Sequence, residues 1–449
     1  MPTLAQLEAD LRAEYRDRTR ESERWYSRAT AVMPGGDTRT GTFHLPYPLF
    51  MERGAGSRLW DIDGNEYRDF LNNFTSLIHG HAHPKVTAAL VRQVEHGTVL
   101  GSAGVQQVRL AEMIHERMPD VERIRFCNSG TEATLFALRA AKAFTGKSKI
   151  LKMEGGYHGS HDQVSLGMSP PYNRSGLGLS PGAVSEVLLG SFNDLEVTTA
   201  MIRQYADELA AVIVEPMMGS AGAIPAEPEF LHGLRKVTAE CGVLLILDEI
   251  ITFRLGFGGA QALYGVRPDL TTFGKVIGGG LPVGAFGGRA DVMGTFDPTR
   301  AGTISHSGTY NGNAATMAAG VATLELFDRD EAERVNNLGD EVRAELNATI
   351  RRLGIPAVVL GLGSVMQLHF VAAPIRTARD AARASRPAIQ CMHLSMLTRG
   401  FFTAGRQMYV LSTVMDDADI RAFVTGFEES IVTVHDALKH GPLAGSGIR

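Results

Sequence analysis

The stretch 243-VLLILDEIITFR-254 decides the fold. Its first five residues are apolar without alternation, so a strand formed by them has two apolar faces. Such strands are typical of a parallel sheet that is covered by helices on both sides. Two carboxylates, Asp248 and Glu249, follow directly. A carboxylate at the end of so apolar a strand is costly unless it meets a cation or hydrogen-bond donors. Either a structural salt bridge or a functional cation could be that partner.

Similar short apolar runs lie on both sides of this stretch, and segments of helical pattern separate them. Helices between strands favour βαβ crossovers. The sequence therefore predicts an α/β fold with a large, mostly parallel sheet and a smaller α+β domain. The predicted strands, besides the one above, are 123-RIRFCN-128, 149-KILKM-153, 210-AAVIVEP-216, 270-LTTFG-274 and 283-VGAFGG-288.

The pattern changes along the chain predict three regions. A hairpin is predicted at 57–71, because alternating apolar residues flank an Asp63-Gly64 turn. The chain becomes charged and helical after about residue 330, with a last helix near 417–439 and a tail at 440–449 that we expect to fray. The regions are an N-terminal segment, 1–83, that contributes to the small domain and the site, a large domain, 84–330, and a small C-terminal domain, 331–449.

Composition narrows the class of protein. The 449 residues carry a formal net charge of −5, which argues against a nucleic-acid partner or an anionic membrane. No apolar stretch approaches ~18 residues, so we expect no membrane span, and the charged N-terminus does not resemble a signal peptide. The three cysteines are far apart and form no CxxC. This spacing fits a cytoplasmic protein and argues against a disulfide framework or a structural zinc site.

The residues that follow the predicted strands indicate a single site. In doubly wound folds the ligand lies beyond the carboxyl ends of the strands. Small, polar or ionisable groups follow five of the strands here. These segments are CNSGTEA, MEGGYHG, VEPMMG, LDEII and FGKVIGGG.

The segment 127-CNSGTEA-133 is a strand end, a Ser-Gly-Thr turn and the start of an Ala-rich helix. Free N–H groups and the dipole at a helix start bind phosphate, and the hydroxyls of Ser129 and Thr131 could add donors. The alternative is a plain helix cap, with Ser129 or Thr131 as the capping residue and Glu132 in the first turn.

Lys275 is the only charged residue between Asp269 and Arg289, and glycines surround it. A lysine removed from water has a lowered pKa and becomes a nucleophile. The alternative is a lysine at the edge of the core that reaches water. A phosphate cradle, a buried aspartate and a buried lysine together match pyridoxal phosphate, which has a phosphate arm, a ring nitrogen that needs a carboxylate and an aldehyde that bonds to lysine.

The chain resembles the class III pyridoxal-phosphate-dependent aminotransferases, and within them the β-amino-acid (β-phenylalanine) aminotransferases and the glutamate-1-semialdehyde 2,1-aminomutases. The resemblance implies a fold-type I homodimer with shared active sites. It extends from about residue 30 to 320. The motifs that carry it are LWDIDGNEYRDF, GHAHP, RFCNSGTEAT, KILKMEGGYHG, AAVIVEP, LLILDEIITFR, PDLTTFGKVIGGGLPVGAFGGR and SGTYNGN.

The resemblance also implies roles for single residues. Lys275 matches the lysine that forms the Schiff base and later moves a proton, and Asp248 matches the aspartate on the pyridine nitrogen. The remaining cofactor-binding positions are Ser129, Gly130 and Thr131 at the phosphate, Tyr157 and Ile250 on the two ring faces, Glu215 near the ring hydroxyl, and Thr309, which reaches the phosphate from the partner subunit.

Two arginines carry the expectation about the substrate. Arg39, shortly after the MPG turn, and Arg406 in 401-FFTAGRQMYVLS-412 resemble the carboxylate-binding residues of β-amino-acid aminotransferases. Arginine suits a carboxylate because its fork is bidentate. The expected reaction is ping-pong transfer of an amino group from a β-amino acid, which could be aromatic, to a 2-oxo acid. A glutamate-1-semialdehyde aminomutase or a class III transaminase acting on amines is the alternative, and either arginine could instead be an exposed ion-pair residue.

The three alternating histidines of 79-HGHAHP-84 could suggest a metal, because on a strand they would share one face. The family that the chain resembles has this loop, and there it does not bind a metal, so we predict no metal site.

Overall fold

The computed structural model describes residues 2–173, 176–372 and 374–440. The helices are α1 Leu4–Arg18, α2 Arg20–Thr30, α3 Asn72–Thr75, α4 Pro84–Glu95, α5 Val105–Arg117, α6 Gly130–Thr145, α7 Asp162–Ser165, α8 Pro181–Ser185, α9 Leu195–Gln204, α10 Gly219–Gly222, α11 Pro228–Glu240, α12 Gly259–Tyr264, α13 Ala290–Met293, α14 Ala314–Leu326, α15 Arg329–Arg352, α16 Ala378–Ala381, α17 Arg386–Thr398 and α18 Asp417–Lys439. The strands are β1 Met51–Ala55, β2 Arg58–Asp61, β3 Glu66–Asp69, β4 Arg123–Cys127, β5 Lys149–Met153, β6 Val187–Gly190, β7 Leu209–Val214, β8 Met217–Met218, β9 Ile224–Pro225, β10 Leu244–Asp248, β11 Leu270–Gly274, β12 Gly284–Gly288, β13 Val358–Leu362, β14 Val365–His369, β15 Phe401–Phe402 and β16 Met408–Val410.

The large sheet has seven strands in the order β4-β12-β11-β10-β7-β5-β6. Strands β11, β10, β7, β5 and β6 pair in parallel, whereas β12 pairs antiparallel with both of its neighbours. The six strands predicted from the sequence all occur, so the prediction of a mostly parallel sheet is confirmed. Strand β6 at the sheet edge was not predicted from the sequence. Its four residues begin two positions after the end of α8, so they do not stand out as a separate apolar run.

The central strands are apolar on both faces, as the sequence predicts. In β10, Leu245 and Leu247 belong to one buried cluster, whereas Leu244 and Ile246 belong to the cluster on the opposite face. All five residues of the strand are buried. Helix α6 packs across β11 and β12 on one side. The sheet is therefore a buried middle layer between helices, and its ionisable groups can reach water only at the strand ends.

The two ends of the chain join in a second structural layer. The hairpin predicted around Asp63-Gly64 is present as β2 and β3, and β15 adds to β3 in parallel. Strands β13, β14 and β16 form a separate antiparallel sheet. Helix α1 packs on α17. These contacts fit the predicted contribution of the N-terminal segment to the small domain, whereas the boundaries at 83 and 330 stay predictions.

Two further predictions concern the C-terminal end of the chain. The last helix, predicted near 417–439, is confirmed as α18. Fraying of 440–449 concerns residues of which all but His440 lie outside the described ranges. No helix within the described ranges is both long enough and apolar enough to cross a membrane.

Arg254 ties these layers together from a fully buried position just after β10. Its guanidinium donates to the Ser364 hydroxyl at 3.1 Å and to the Thr75 carbonyl at 3.2 Å, and also to the Leu411 carbonyl. Its own carbonyl accepts from the Asn336 side chain at 2.9 Å. Burial without a carboxylate lowers the pKa of Arg254 to about 9. Several buried acceptors bond to the N–H groups of the Arg254 guanidinium, and these bonds favour its charged form.

We expect Arg254→Leu to lower the free energy of unfolding by about 3 kcal/mol, because buried acceptors lose their only charged donor. Urea unfolding followed by circular dichroism measures this change. The control is Arg267→Met, whose exposed pair with Asp120 should contribute less than about 1 kcal/mol. Equal effects of the two substitutions would contradict the assignment of Arg254 as the buried connection.

Candidate active site

The carboxyl ends of β4, β5, β7, β10 and β11 surround one cleft with a volume of about 380 Å³. Glycine, proline and small apolar residues from the 280–283 segment form part of its wall. Seven of the residues predicted from the sequence line it together. These are Gly130, Thr131, Tyr157, Glu215, Asp248, Ile250 and Lys275.

Asp248 ends β10 at the base of this cleft, and its side chain is almost completely buried. One carboxylate oxygen accepts from the Thr272 hydroxyl at 2.9 Å and from the Ile250 N–H at 3.2 Å. The other oxygen lies 2.7 Å from Nδ1 of His158. Since a carboxylate only accepts, Nδ1 of His158 carries the proton in this bond. Three donors therefore hold the carboxylate in one orientation without an ion pair to lysine or arginine.

His158 is the residue that sequence reasoning left without a role. It is buried, and its Nε2 is a buried atom with no hydrogen-bond partner among the described residues. Its carbonyl also accepts from the Thr134 hydroxyl at 2.5 Å. The available signal was its position in GGYHG, next to Tyr157, but no sequence pattern linked it to Asp248.

The two adjacent carboxylates of the strand have different surroundings. Glu249 points away from the cleft and accepts from the backbone N–H groups of Ala260 at 3.1 Å and Gln261 at 2.6 Å, and from the Thr252 hydroxyl. Burial raises the pKa of Glu249 to about 7. Only Asp248 of the pair lines the cleft. Glu249 therefore holds the α12 segment, whereas Asp248 faces the site.

Glu215 follows β7 and forms the other acidic wall. It accepts from the backbone N–H of Tyr157 at 3.0 Å and of Gly219 at 2.9 Å. Burial raises the pKa of Glu215, and the neighbouring Asp248 acts in the same direction, whereas His158 opposes it. The carboxyl group of Glu215 therefore binds a proton more readily than a free glutamate does.

Lys275 follows β11 with a positive φ of 49°, an uncommon conformation for a residue with a side chain. Burial lowers the pKa of Lys275 most strongly, and the positive charge of Arg406 adds to this effect. The negative charges of Asp248 and Glu215 oppose it. A lowered pKa increases the fraction of neutral amine at a given pH, which is the nucleophilic form.

At the turn before α6 the structure shows the helix cap, whereas phosphate binding there stays a prediction. Ser129 is the capping residue of the helix, since its side chain accepts from the Glu132 N–H at 3.2 Å. Gly130 and Thr131 line the cleft, whereas Ser129 does not belong to its wall. A Cβ on Gly130 would lie 2.7 Å from the Ile250 side chain, and one on Gly159 would lie 2.6 Å from the Thr131 hydroxyl. A side chain at either place would force its neighbour to shift, so the two glycines leave room at this end of the cleft.

The remaining predicted residues lie outside the cleft wall. Thr309 is exposed in the loop before α14. Arg39 is exposed and donates to the Asn73 side chain at 2.8 Å. Arg406 is partly buried, and burial lowers its pKa to about 10. Both guanidiniums lie within 6 Å of the centre of the Phe74 ring, at 5.9 Å for Arg39 and 5.6 Å for Arg406.

The histidines of 79–84 do not lie on a strand, so the expected shared face was wrong. His79 contacts Thr413 and the Thr323 carbonyl, and His81 contacts Asp69 at 2.7 Å. His79 and His81 have different partners because they lie in a loop, whereas the His83 ring packs 5.5 Å from the His79 ring and its Nδ1 has no hydrogen-bond partner among the described residues. Within the described ranges, no cluster of three or more His, Cys, Asp or Glu side chains could hold a metal.

The fold and the site together define a pyridoxal-phosphate-dependent transferase. The class-III aminotransferase family matches residues 41–429, and the chain belongs to this family. It is 40% identical to the beta-phenylalanine transaminase of Variovorax paradoxus over 432 residues, which is 96% of each chain. The crystal structure of the beta-phenylalanine aminotransferase from that organism superposes with a TM-score of 0.92 at 39% identity, covering 97% of this chain and 99% of the other.

One further relative is named for a different reaction, and another is a transaminase structure that contains the cofactor. The chain is 38% identical to the glutamate-1-semialdehyde 2,1-aminomutase of Methanopyrus kandleri over 93% of this chain and 98% of the other. A transaminase structure with PLP bound superposes with a TM-score of 0.89 at 36% identity, covering 94% and 99% of the two chains. The protein is therefore an aminotransferase whose cofactor is pyridoxal phosphate, and the comparisons include more than one reaction within the family.

The residues of the cleft fit this cofactor. A buried carboxylate and a lysine with a lowered pKa line the same space, and two glycines keep the N-terminal end of α6 open. Those groups complement a ring nitrogen, an aldehyde and a phosphate respectively.

Gly130→Ala is expected to weaken cofactor affinity about tenfold, because the new Cβ pushes the Ile250 side chain into the cleft. Fluorescence titration of the apoenzyme with pyridoxal phosphate measures the affinity. The matched control is Gly146→Ala at the other end of α6, where φ is +69° and no atom lies within 4 Å. This control should lose about 1 kcal/mol of stability without a change in affinity. Unaltered binding by Gly130→Ala would show that the glycine is not needed at the cradle.

Proposed function

We propose that this enzyme transfers the amino group of a β-amino acid to a 2-oxo acid by a ping-pong mechanism. The observation that carries the proposal is the convergence of Arg39 and Arg406 on one aromatic ring beside the cleft that holds Lys275 and Asp248. Neither arginine forms an ion pair with a carboxylate among the described residues. Two guanidiniums without anionic partners suit a substrate carboxylate, since their forks bind it bidentately.

Each cleft residue has a proposed part in holding the cofactor. Asp248 would accept a hydrogen bond from the ring nitrogen and keep it protonated, and the bonds from His158 and Thr272 fix that carboxylate. Tyr157 and Ile250 would pack on the two ring faces, and Glu215 lies on the side proposed for the ring hydroxyl. The α6 turn would bind the phosphate through the N–H groups of its first residues. The residues of this turn are Ser129, Gly130 and Thr131.

Lys275 has the proposed chemical role. When bound, the cofactor supplies an aldehyde that bonds to amines and a conjugated ring that takes up an electron pair. The neutral Nζ of Lys275 would take a proton from the substrate carbon that carries the nitrogen and return it on the cofactor side. The lowered pKa of Lys275 favours the neutral amine that this step needs. Asp248, held by three donors, would balance the positive charge on the ring nitrogen.

The proposed assembly is a homodimer in which Thr309 of one subunit reaches the phosphate at the other site. This proposal is supported by the exposure of Thr309 and its neighbour Tyr310, of which 59% is exposed, and by their position outside the cleft of their own chain. We further propose a cytoplasmic location. Its support is that Cys127, Cys241 and Cys391 are all unpaired, as thiols are in a reducing compartment.

A half-reaction screen tests the proposed function. The holoenzyme is mixed with β-phenylalanine, an α-amino acid, a primary amine without a carboxylate, or glutamate-1-semialdehyde, and the change in the near-visible absorbance of the cofactor is followed. β-Phenylalanine should react fastest. A fast reaction only with glutamate-1-semialdehyde would replace the proposal with the aminomutase alternative.

Lys275→Ala should remove the near-visible band that arises from the covalent bond between the lysine and the cofactor, and should lower kcat by at least ~1000-fold. Absorbance before and after borohydride treatment measures the bond. Lys142→Ala, which removes the lysine of a surface pair with Glu186, is the control and should keep the band. A band that persists in Lys275→Ala would exclude this residue as the attachment point.

Arg39→Ala and Arg406→Ala should each raise KM for a β-amino acid about tenfold or more, because each removes a charge-assisted hydrogen bond to the carboxylate. KM for an amine that lacks a carboxylate should stay within about twofold. Steady-state kinetics with both donors gives the comparison. If both donors lose affinity equally, the arginines have a structural function rather than carboxylate recognition.

A further inference from the structure

An unusual backbone turn lies beside the cleft. Asn72, Asn73, Phe74 and Thr75 have φ values of 48°, 47°, 55° and 75°, so α3 is a single left-handed turn without a glycine. Residues with a Cβ enter this region singly, and each costs free energy there. Such a turn persists only when surrounding contacts hold it, and it is typical of functional sites.

The contacts that hold the turn are buried. Asp69 accepts from the N–H groups of Leu71 at 2.8 Å and Asn72 at 2.9 Å. The Asn72 side chain donates to the Val410 carbonyl at 2.8 Å. Val410 ends β16, which begins two residues after Arg406. The turn is therefore fixed to the same segment that carries Arg406.

The turn places the Phe74 ring between two distant parts of the chain. The guanidinium carbon of Arg39 lies 5.9 Å from the ring centre, and that of Arg406 lies 5.6 Å from it. Asn73, the preceding residue, accepts from Arg39 and also lines the cofactor cleft. Both guanidiniums lie within the distance at which a cation is attracted to an aromatic ring.

Arg406 needs such a contact because it has few others. Its Nε is buried without a hydrogen-bond partner among the described residues, and Nη2 contacts only the Met408 sulfur, at 3.2 Å. Burial of a guanidinium that has so few partners costs free energy, and it lowers the pKa of Arg406 to about 10. The ring offsets part of this cost without supplying a negative charge, so the guanidiniums stay available for an external anion.

We propose that Phe74 is a positioning residue that holds Arg39 and Arg406 for the substrate carboxylate, so that selectivity for donors with a carboxylate depends on its aromatic ring. This inference rests on the proposed function. A leucine at this position keeps the apolar bulk and removes the attraction for cations, whereas a tyrosine keeps the ring.

The test compares Phe74→Leu, Phe74→Tyr and the control Phe144→Leu in the holoenzyme. Phe144 is a matched control, because 40% of it is exposed and Arg289 lies 5.7 Å from its ring near the far end of α6. Phe74→Leu should raise KM for β-phenylalanine about fivefold to tenfold and change kcat and KM for an amine without a carboxylate by less than about twofold. Phe74→Tyr and Phe144→Leu should resemble the wild type.

A binding measurement without turnover accompanies the kinetics. The holoenzyme is titrated calorimetrically with 3-phenylpropanoate, which is β-phenylalanine without its amino group. Phe74→Leu should have a dissociation constant five to ten times larger than the wild type, whereas Phe74→Tyr and Phe144→Leu should not differ from it. If Arg406→Ala weakens both the donor and this probe while Phe74→Leu weakens neither, the role of Phe74 is overturned and the proposed function stands. If the wild type neither reacts with β-phenylalanine nor binds the probe, the proposed function falls together with this inference.

Discussion

The hydrogen bonding of the Asp248 carboxylate is the constraint on which the site depends. The group ends a strand that is buried on both faces and is itself almost completely buried, so protein donors must replace most of its solvation. Thr272 supplies one donor from the neighbouring strand, the Ile250 N–H supplies another, and His158 supplies the third. These bonds fix β10, β11 and the segment after β5 relative to one another. The position of the carboxylate is therefore set before any ligand binds.

The groups around Lys275 have opposing effects on its pKa. Burial and the charge of Arg406 favour the neutral amine, while Asp248 and Glu215 favour the ammonium form. Glu215 in turn binds protons more tightly than usual, because it is buried near a second carboxylate. The cleft thus places a weakly basic amine close to a carboxylate with fixed orientation. This arrangement suits a covalent bond to an aldehyde and later proton transfer.

Contacts of the smaller layer hold the segments that carry Phe74 and Arg406. From the core, Arg254 bonds to Thr75, to Ser364 just before β14 and to Leu411 just after β16, and Asn72 bonds to Val410 of β16. These contacts bring the N-terminal arginine and Arg406 to one ring although they lie at opposite ends of the chain. The family provides the cofactor chemistry, whereas the groups around Phe74 are the part of this chain that faces the substrate in our proposal.

The sequence by itself determined the sheet, the single site at its strand ends, and the residues Asp248, Lys275 and Gly130 in the cleft. It could do so because apolar runs identify buried strands locally, and parallel strands bring the residues that follow them to one edge. Only the tertiary structure decided that Glu249 points away from the cleft to bond the α12 segment, that His158 bonds to Asp248, and that two arginines converge on Phe74. Those facts depend on side-chain direction and on contacts between distant segments, neither of which a local pattern contains. The histidines of 79–84 show the same limit, since their spacing suggested a shared face on a strand, whereas His79 and His81 lie in a loop and bond to different residues.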